Sequence, residues 1–159
     1  MERPLRYASG KLHPFGQEAR PSCRRRVFPG QVIVKSREGA ADTAGSWNRR
    51  DTVWTDGSRL ECGKVGAAYV WRTTGRWDGL CFHLGNKEVF DAEVYAISQA
   101  LEVLERKQES GCRYTIFVDS TSAIDRIRSD SIGPGQSFEI AAIEQCSQVI
   151  ARRNEVAIR

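Results

Sequence analysis

Two aspartates in this sequence close short apolar runs and precede small, turn-forming residues: Asp56 in Trp54-Thr55-Asp56-Gly57-Ser58 and Asp119 in Phe117-Val118-Asp119-Ser120. Between them Glu93 lies in Phe90-Asp91-Ala92-Glu93-Val94-Tyr95-Ala96-Ile97, a stretch of helical character. Carboxylates gathered in one place repel one another, so such a cluster is costly unless a divalent cation neutralises it. Oxygen ligands of this kind hold hard cations. A pair of such cations activates a water and stabilises the leaving oxygen in phosphodiester cleavage. Taken singly, each acid also has a plain structural role. Asp56 suits a turn before Gly57, Asp119 suits a helix cap, and Glu93 suits a first turn, where the helix dipole favours it. The three in order, each in its own element, point to metal-dependent chemistry.

The elements that must position them follow from periodicity. Thr52 to Thr55 is β-branched and aromatic and reads as a strand stopped by the Asp56-Gly57-Ser58 turn signal. Lys64 to Arg72 and Trp77 to Leu84 read as two more strands, and the short connections favour an antiparallel meander. From about Glu88 to Glu109 apolar residues recur at spacings of three and four, which predicts a long amphipathic helix stopped by Gly111, with Glu93 near its start. Arg113 to Val118 is a fourth strand ending at Asp119, and Ser120 or Thr121 can cap the short helix that runs to Arg128. A loop over 131–136, a helix from Phe138 to about Arg153 and a fifth strand from Glu155 complete the pattern. The order predicts an α/β fold with a mixed five-stranded sheet, three antiparallel strands followed by parallel ones reached through helical crossovers. In such a sheet the first and fourth strands can be neighbours, which brings Asp56 beside Asp119.

The rest of the chain sets bounds. Its 159 residues suffice for one ordinary domain, and 40% hydrophobic with 28% charged residues describes a globular protein. No apolar run approaches the length of a membrane span or a signal peptide. The cysteines (Cys23, Cys62, Cys81, Cys112, Cys146) are odd in number and lack C-x-x-C spacing, which favours free thiols in a reducing compartment over a zinc site or disulfide framework. Charge is uneven: residues 1–50 carry 11 Lys/Arg against 4 Asp/Glu, and 51–159 carry 13 against 16, so +7 is followed by −3. Residues 1–48 read as a basic, Pro/Gly-containing tail or linker, in which Gln31 to Lys35 alone suggests a strand, and 49–159 read as the folded domain. A basic arm suits a polyanionic partner and suits a solvated linker equally well.

Residues 52–159 resemble a type 1 ribonuclease H domain, in particular the one at the end of non-LTR (LINE-type) retrotransposon polyproteins. The resemblance rests on Trp54-Thr55-Asp56-Gly57-Ser58, the strand holding Gly63-Lys64-Val65-Gly66-Ala67-Ala68, the Glu93 helix and Val118-Asp119-Ser120, with separations of 37 and 26 residues between the acids. It implies an RNase H-like fold and endonucleolytic cleavage of the RNA strand of RNA–DNA hybrids with two Mg²⁺ ions (Mn²⁺ as a substitute). Carried over by position, it makes Asp56, Glu93 and Asp119 the catalytic metal ligands and puts Gly57, Ser58 and Ser120 at the substrate. Recognition would then use shape, phosphates and 2′-hydroxyls rather than base sequence. Arg59, Lys64, Arg72 and Arg76 are available for phosphates and equally serve as ordinary surface cations.

The chain departs from the family in one respect. The family continues beyond its fifth strand with a histidine loop and a helix bearing a fourth aspartate, whereas this sequence ends at Arg159. The expectation is a domain that lacks its final helix, with weakened activity and one sheet face left for another chain or for the segment around Val32-Ile33-Val34 to cover. His13 and His83 match no family position, and Asp125, Asp130 and Glu155 read as solvated surface. Three functions stay open: a metal-dependent hybrid nuclease, a non-catalytic nucleic-acid-binding module, and an inactive retroelement fragment. No membrane association is expected. A retroelement origin implies work near nucleic acid, in nucleus or cytoplasm, and the sequence leaves oligomeric state undefined.

Overall fold

A computed structural model describes residues 27–47, 51–73, 76–129, 133 and 135–159. The run Arg24 to Arg26, His13, Asp130 and half of the 131–136 loop (131, 132 and 134) lie outside the described residues. The elements run β1 (Gln31–Val32), α1 (Arg37–Ser46), β2 (Thr52–Arg59), β3 (Val65–Thr73), β4 (Arg76–Gly85), α2 (Val89–Arg106), β5 (Arg113–Val118), α3 (Thr121–Arg128), α4 (Gln136–Ala151) and β6 (Glu155–Ile158). They form one sheet in the order β1-β6-β5-β2-β3-β4. The pairs β2–β3 and β3–β4 are antiparallel, while β2–β5, β5–β6 and β1–β6 are parallel. From Thr52 onward this is the mixed sheet that the sequence pattern predicts, and β1 adds a sixth strand at the edge.

One face of the sheet packs on α2. This helix buries Ala92, Val94, Ala96, Ile97, Ala100, Leu101 and Leu104, as its three-and-four spacing requires. The alanines let the helix approach Val65 and Ala67 of β3 closely. Next to it, α4 contributes Ala142, Ile143, Cys146 and Val149 to the same core as Tyr114, Ile116 and Val118 of β5. Side chains alternate along a strand, so Trp54 and Asp56 of β2 and Phe117 of β5 face the other way.

Two expectations need correction. The strand containing Asp56 does not stop at Asp56-Gly57-Ser58. It continues to Arg59 because β3 keeps pairing with it through Asp56↔Ala68, Gly57↔Ala67, Ser58↔Gly66 and Arg59↔Val65. The turn comes later, where Gly63, at φ +80, donates its N–H to the Leu60 carbonyl at 2.8 Å. Only the parallel partner β5 ends at this level, with Thr55↔Val118 as the last pair. The small-residue patch Gly39 to Ser46 is the second case: read from sequence as part of a tail, it is helical. Ser36 caps this helix by accepting from the Gly39 amide at 3.3 Å, and Ala40, Ala41 and Ala44 favour the helical state.

Helix α1 buries none of its own residues. It is moored instead by what flanks it. Before it, Val32 pairs with Ile158 of β6, and the Ile33 amide donates to the Ile158 carbonyl at 2.8 Å. After it, the Trp47 indole N–H donates to Thr52 Oγ1 at 2.8 Å, and its ring meets Phe117 edge-on at 5.5 Å. Helix α1, with Ile33 and Val34 ahead of it, therefore lies on the sheet face opposite α2, while Val32 stays in the edge strand and packs against the main core.

Candidate active site

Three elements meet at the carboxyl end of β5, beside the middle of β2. Pairing of Thr55 with Val118 puts the next residues, Asp56 and Asp119, side by side. Glu93 comes from the second turn of α2 on the far side of the sheet and reaches them past Gly57. The glycine is needed there. A Cβ on Gly57 would stand 2.7 Å from the Glu93 backbone nitrogen and 3.0 Å from the Ala92 carbonyl carbon, so any larger residue pushes α2 away.

Ligand oxygens of Asp56, Glu93 and Asp119 all lie within 4.8 Å of one another. The two aspartates are exposed, whereas Glu93 is buried and its Oε2 has no hydrogen-bond partner. Burial, first, and then the charges of Asp119 and Asp56 push the Glu93 carboxyl up to about 7, with the Gly57 backbone amide offsetting part of the rise. An orphaned buried carboxylate oxygen facing two solvated ones is an oxygen donor set that fits a hard divalent cation.

The other site residues fall around this cluster. Ser58 is exposed on β2 immediately after Gly57. Ser120 caps α3, its hydroxyl accepting from the Ala123 amide at 3.2 Å, which fixes where β5 ends and α3 begins and so where Asp119 stands. Asp125 and Glu155 stay apart on the surface, within ion-pair distance of Arg128 at 3.9 Å and Arg113 at 3.1 Å. His83 is exposed on β4, where its Nδ1 accepts from the Gly85 amide at 3.3 Å.

A cleft of about 680 Å³ opens between α1 and the sheet, and Asp56 and Asp119 lie in its lining. Trp54, Phe117 and Ile124 give it an apolar floor, and Ala40, Ala41 and Ala44 of α1 form the opposite wall. Its cations are Lys35, Arg37 and Arg159. None was singled out by the sequence pattern, which offered Arg59, Lys64, Arg72 and Arg76 instead. Of those, Arg59 pairs with Glu88 at 3.1 Å, Arg76 lies 3.8 Å from Asp78, and Arg72 sits 5.9 Å from the Trp77 ring centroid. The one clue to the cleft cations was the serine cap before an alanine-rich stretch.

No protein-family model matches the sequence, and no curated protein does. Solved structures do match it. Ribonuclease H1 from the halophilic archaeon Halobacterium salinarum is 14% identical over 68% of this chain and 82% of its own, with a TM-score of 0.48. LC11 ribonuclease H1, crystallised with an RNA/DNA hybrid, is 17% identical over the same shares, with a TM-score of 0.54. The likeness to the second, with the strand order and the flanking helices described above, establishes that this chain has the RNase H-like fold.

Proposed function

We propose that this chain hydrolyses the RNA strand of RNA–DNA hybrids, endonucleolytically, with two Mg²⁺ ions (or Mn²⁺) held by Asp56, Glu93 and Asp119. The observation that carries the reading is the convergence of those three carboxylates, from β2, α2 and the end of β5, within 4.8 Å of one another, with Asp56 and Asp119 in the lining of the cleft. When bound, such ions supply an activated water and charge neutralisation at the scissile phosphate. The protein's own part is positional. Asp56 and Asp119 present exposed oxygens to the cleft, and Glu93 closes the site from below with its buried carboxylate. Gly57 keeps the backbone low where a strand of nucleic acid would pass, with Ser58 and Ser120 beside it, and residues 49–159 carry the three carboxylates, with the β1–α1 segment ahead of them joined to the same sheet and walling the cleft. The sequence motifs favour a retroelement origin and work on nucleic acid in nucleus or cytoplasm. Among the described residues no helix is long and apolar enough to cross a membrane.

Cleavage of a labelled RNA–DNA hybrid in Mg²⁺ or Mn²⁺ tests this, with Asp56→Asn as the control. The wild type is expected to cut the RNA strand and the variant to lose at least a hundredfold in rate, the scale on which charge stabilisation at a reacting centre is felt. Equal cleavage by both proteins would sink the assignment. A second reading, a binding module without turnover, is favoured by one observation: the cluster holds three acids among the described residues. Salt-sensitive hybrid binding with no cleavage in either metal would establish it.

A further inference from the structure

The cleft that holds Asp56 and Asp119 is also lined by Lys35 and by Arg37 at the start of α1. Val32, Ile158, Ile116 and Val53 form one row across β1, β6, β5 and β2. Three residues beyond this row stand Asp119 and Asp56, whereas the chain leaves β1 after Val32. The chain then turns into α1, and Lys35 and Arg37 line the same cleft as Asp56 and Asp119. Arg159, which follows β6 and donates its backbone amide to Ile116 at 2.9 Å, adds a third cation to the lining.

These cations are not consumed by other contacts in the way most arginines of the described residues are. Arg59, Arg113 and Arg152 are paired with Glu88, Glu155 and Glu105 at 3.1 Å each. Arg37 and Arg159 form no ion pair among the described residues, and the buried Nε of Arg159 has no hydrogen-bond partner. The Arg159 guanidinium lies 5.0 Å from the Trp47 ring centroid, within cation–π range. Lys35 Nζ donates to Thr43 Oγ1 at 2.8 Å, which keeps its charge at the wall. Neither aspartate forms an ion pair with these cations, although all five side chains line the same space. A cleft with acids at one end and unpaired guanidinium groups beside them is complementary to a chain of phosphodiesters, one phosphate addressed through the acids and a neighbouring one by the cations. The positive end of α1 points the same way and adds to this field without carrying the argument.

We propose that Arg37, supported by Lys35 and Arg159, is a phosphate-docking subsite that positions the nucleic-acid backbone beside the carboxylates. The subsite rests on the reading of those carboxylates as a nuclease centre for RNA–DNA hybrids. Two of its three cations, Lys35 and Arg37, come from a segment whose composition reads as a tail, which makes that segment part of substrate recognition.

The experiment is fluorescence anisotropy with a fluorescein-labelled RNA–DNA hybrid in EDTA, over a series of salt concentrations, so that affinity is read without turnover. Arg37→Ala and Arg159→Ala are compared with Arg37→Lys and with Arg113→Ala, a surface cation on β5 outside the cleft. Far-UV circular dichroism confirms that each variant keeps the wild-type fold. Arg37→Ala and Arg159→Ala should each weaken binding about tenfold and lower the salt slope by about one, the signature of one lost phosphate contact. Arg37→Lys should keep most of the slope, and Arg113→Ala should match the wild type. Unchanged affinity and slope in both alanine variants would overturn the subsite. So would tighter binding by Arg37→Ala, which would make Arg37 a cation competing for the carboxylates, and so would absence of hybrid binding by the wild type. Failure of the nuclease reading is separate and distinguishable: it appears as no cleavage in Mg²⁺ or Mn²⁺ while the Arg37 effect on binding persists.

Discussion

Glu93 carries the clearest pH dependence in the molecule. Its carboxyl stands at about 7 in the folded protein against an ordinary value of 4.5, because burial and the neighbouring aspartates disfavour its charge. The folded state therefore binds this proton more tightly than the unfolded state does. The stability it contributes is complete below about 4.5 and is lost as pH rises through about 7. In EDTA, thermal denaturation of the wild type should show a loss of order 1–2 kcal/mol between those limits, a figure reduced for the solvent around the two aspartates. Glu93→Gln should remove that part of the pH dependence, and parallel pH curves for the two proteins would contradict the account. Gly57→Ala tests the neighbouring packing. Its methyl would press on backbone atoms of α2 that cannot rotate aside. Urea unfolding should register a loss of roughly 1–3 kcal/mol, the range for overpacked sites.

The contacts between elements differ in strength, and the differences are measurable. Helices α3 and α4 are joined by Arg126 and Glu139 at 2.9 Å, with side chains 8% and 5% exposed. Glu139→Ala leaves a guanidinium in that interior and should cost about 3–5 kcal/mol. Arg113→Ala, at the exposed pair with Glu155, should cost under about 1 kcal/mol. Chemical denaturation of the two variants side by side checks the contrast. Helix α1 lies at the weak end of the scale, since it buries none of its residues and hangs between β1 and Trp47. Hydrogen exchange is expected to proceed through local opening in α1 well before α2, whose apolar face is entirely within the core.

For the molecule as a whole, folding and metal binding should be linked. The carboxylate cluster exists only when β2, α2 and β5 are assembled, so a cation that binds it binds the native state alone. Mg²⁺ or Mn²⁺ at a hundredfold excess over its dissociation constant should add about 2.7 kcal/mol of stability, read as a rise in Tm. Asp119→Asn should abolish that rise while leaving the metal-free protein folded. The effect should weaken below pH 7, where protons compete for Glu93. The same assembly leaves aromatic surface beside the cleft. Trp77 is 57% exposed and packs against Trp54, whose ring is stacked on Phe117. Tryptophan emission is thus a direct optical report of what enters.

From Thr52 onward the sequence alone determined the order and type of the elements, because alternation in strands and three-and-four spacing in helices are local records of which side faces the core. It also marked Asp56, Glu93 and Asp119 as residues to watch. Only the tertiary structure decided that Asp56 lies inside a strand rather than at its end, since continued pairing with β3 overrides the local turn preference of Asp56-Gly57-Ser58. The helix Arg37–Ser46 was likewise hidden, because a helix that buries nothing has no apolar stripe to betray it. Its place over the cleft depends on Val32 pairing with Ile158 at the opposite end of the chain, and no local pattern encodes such a contact. The meeting of three acids in one cluster, and of two of them with three cations in one cleft, is of the same kind: residue types are written in the sequence, but their distances are set by register and crossover, which long-range packing fixes.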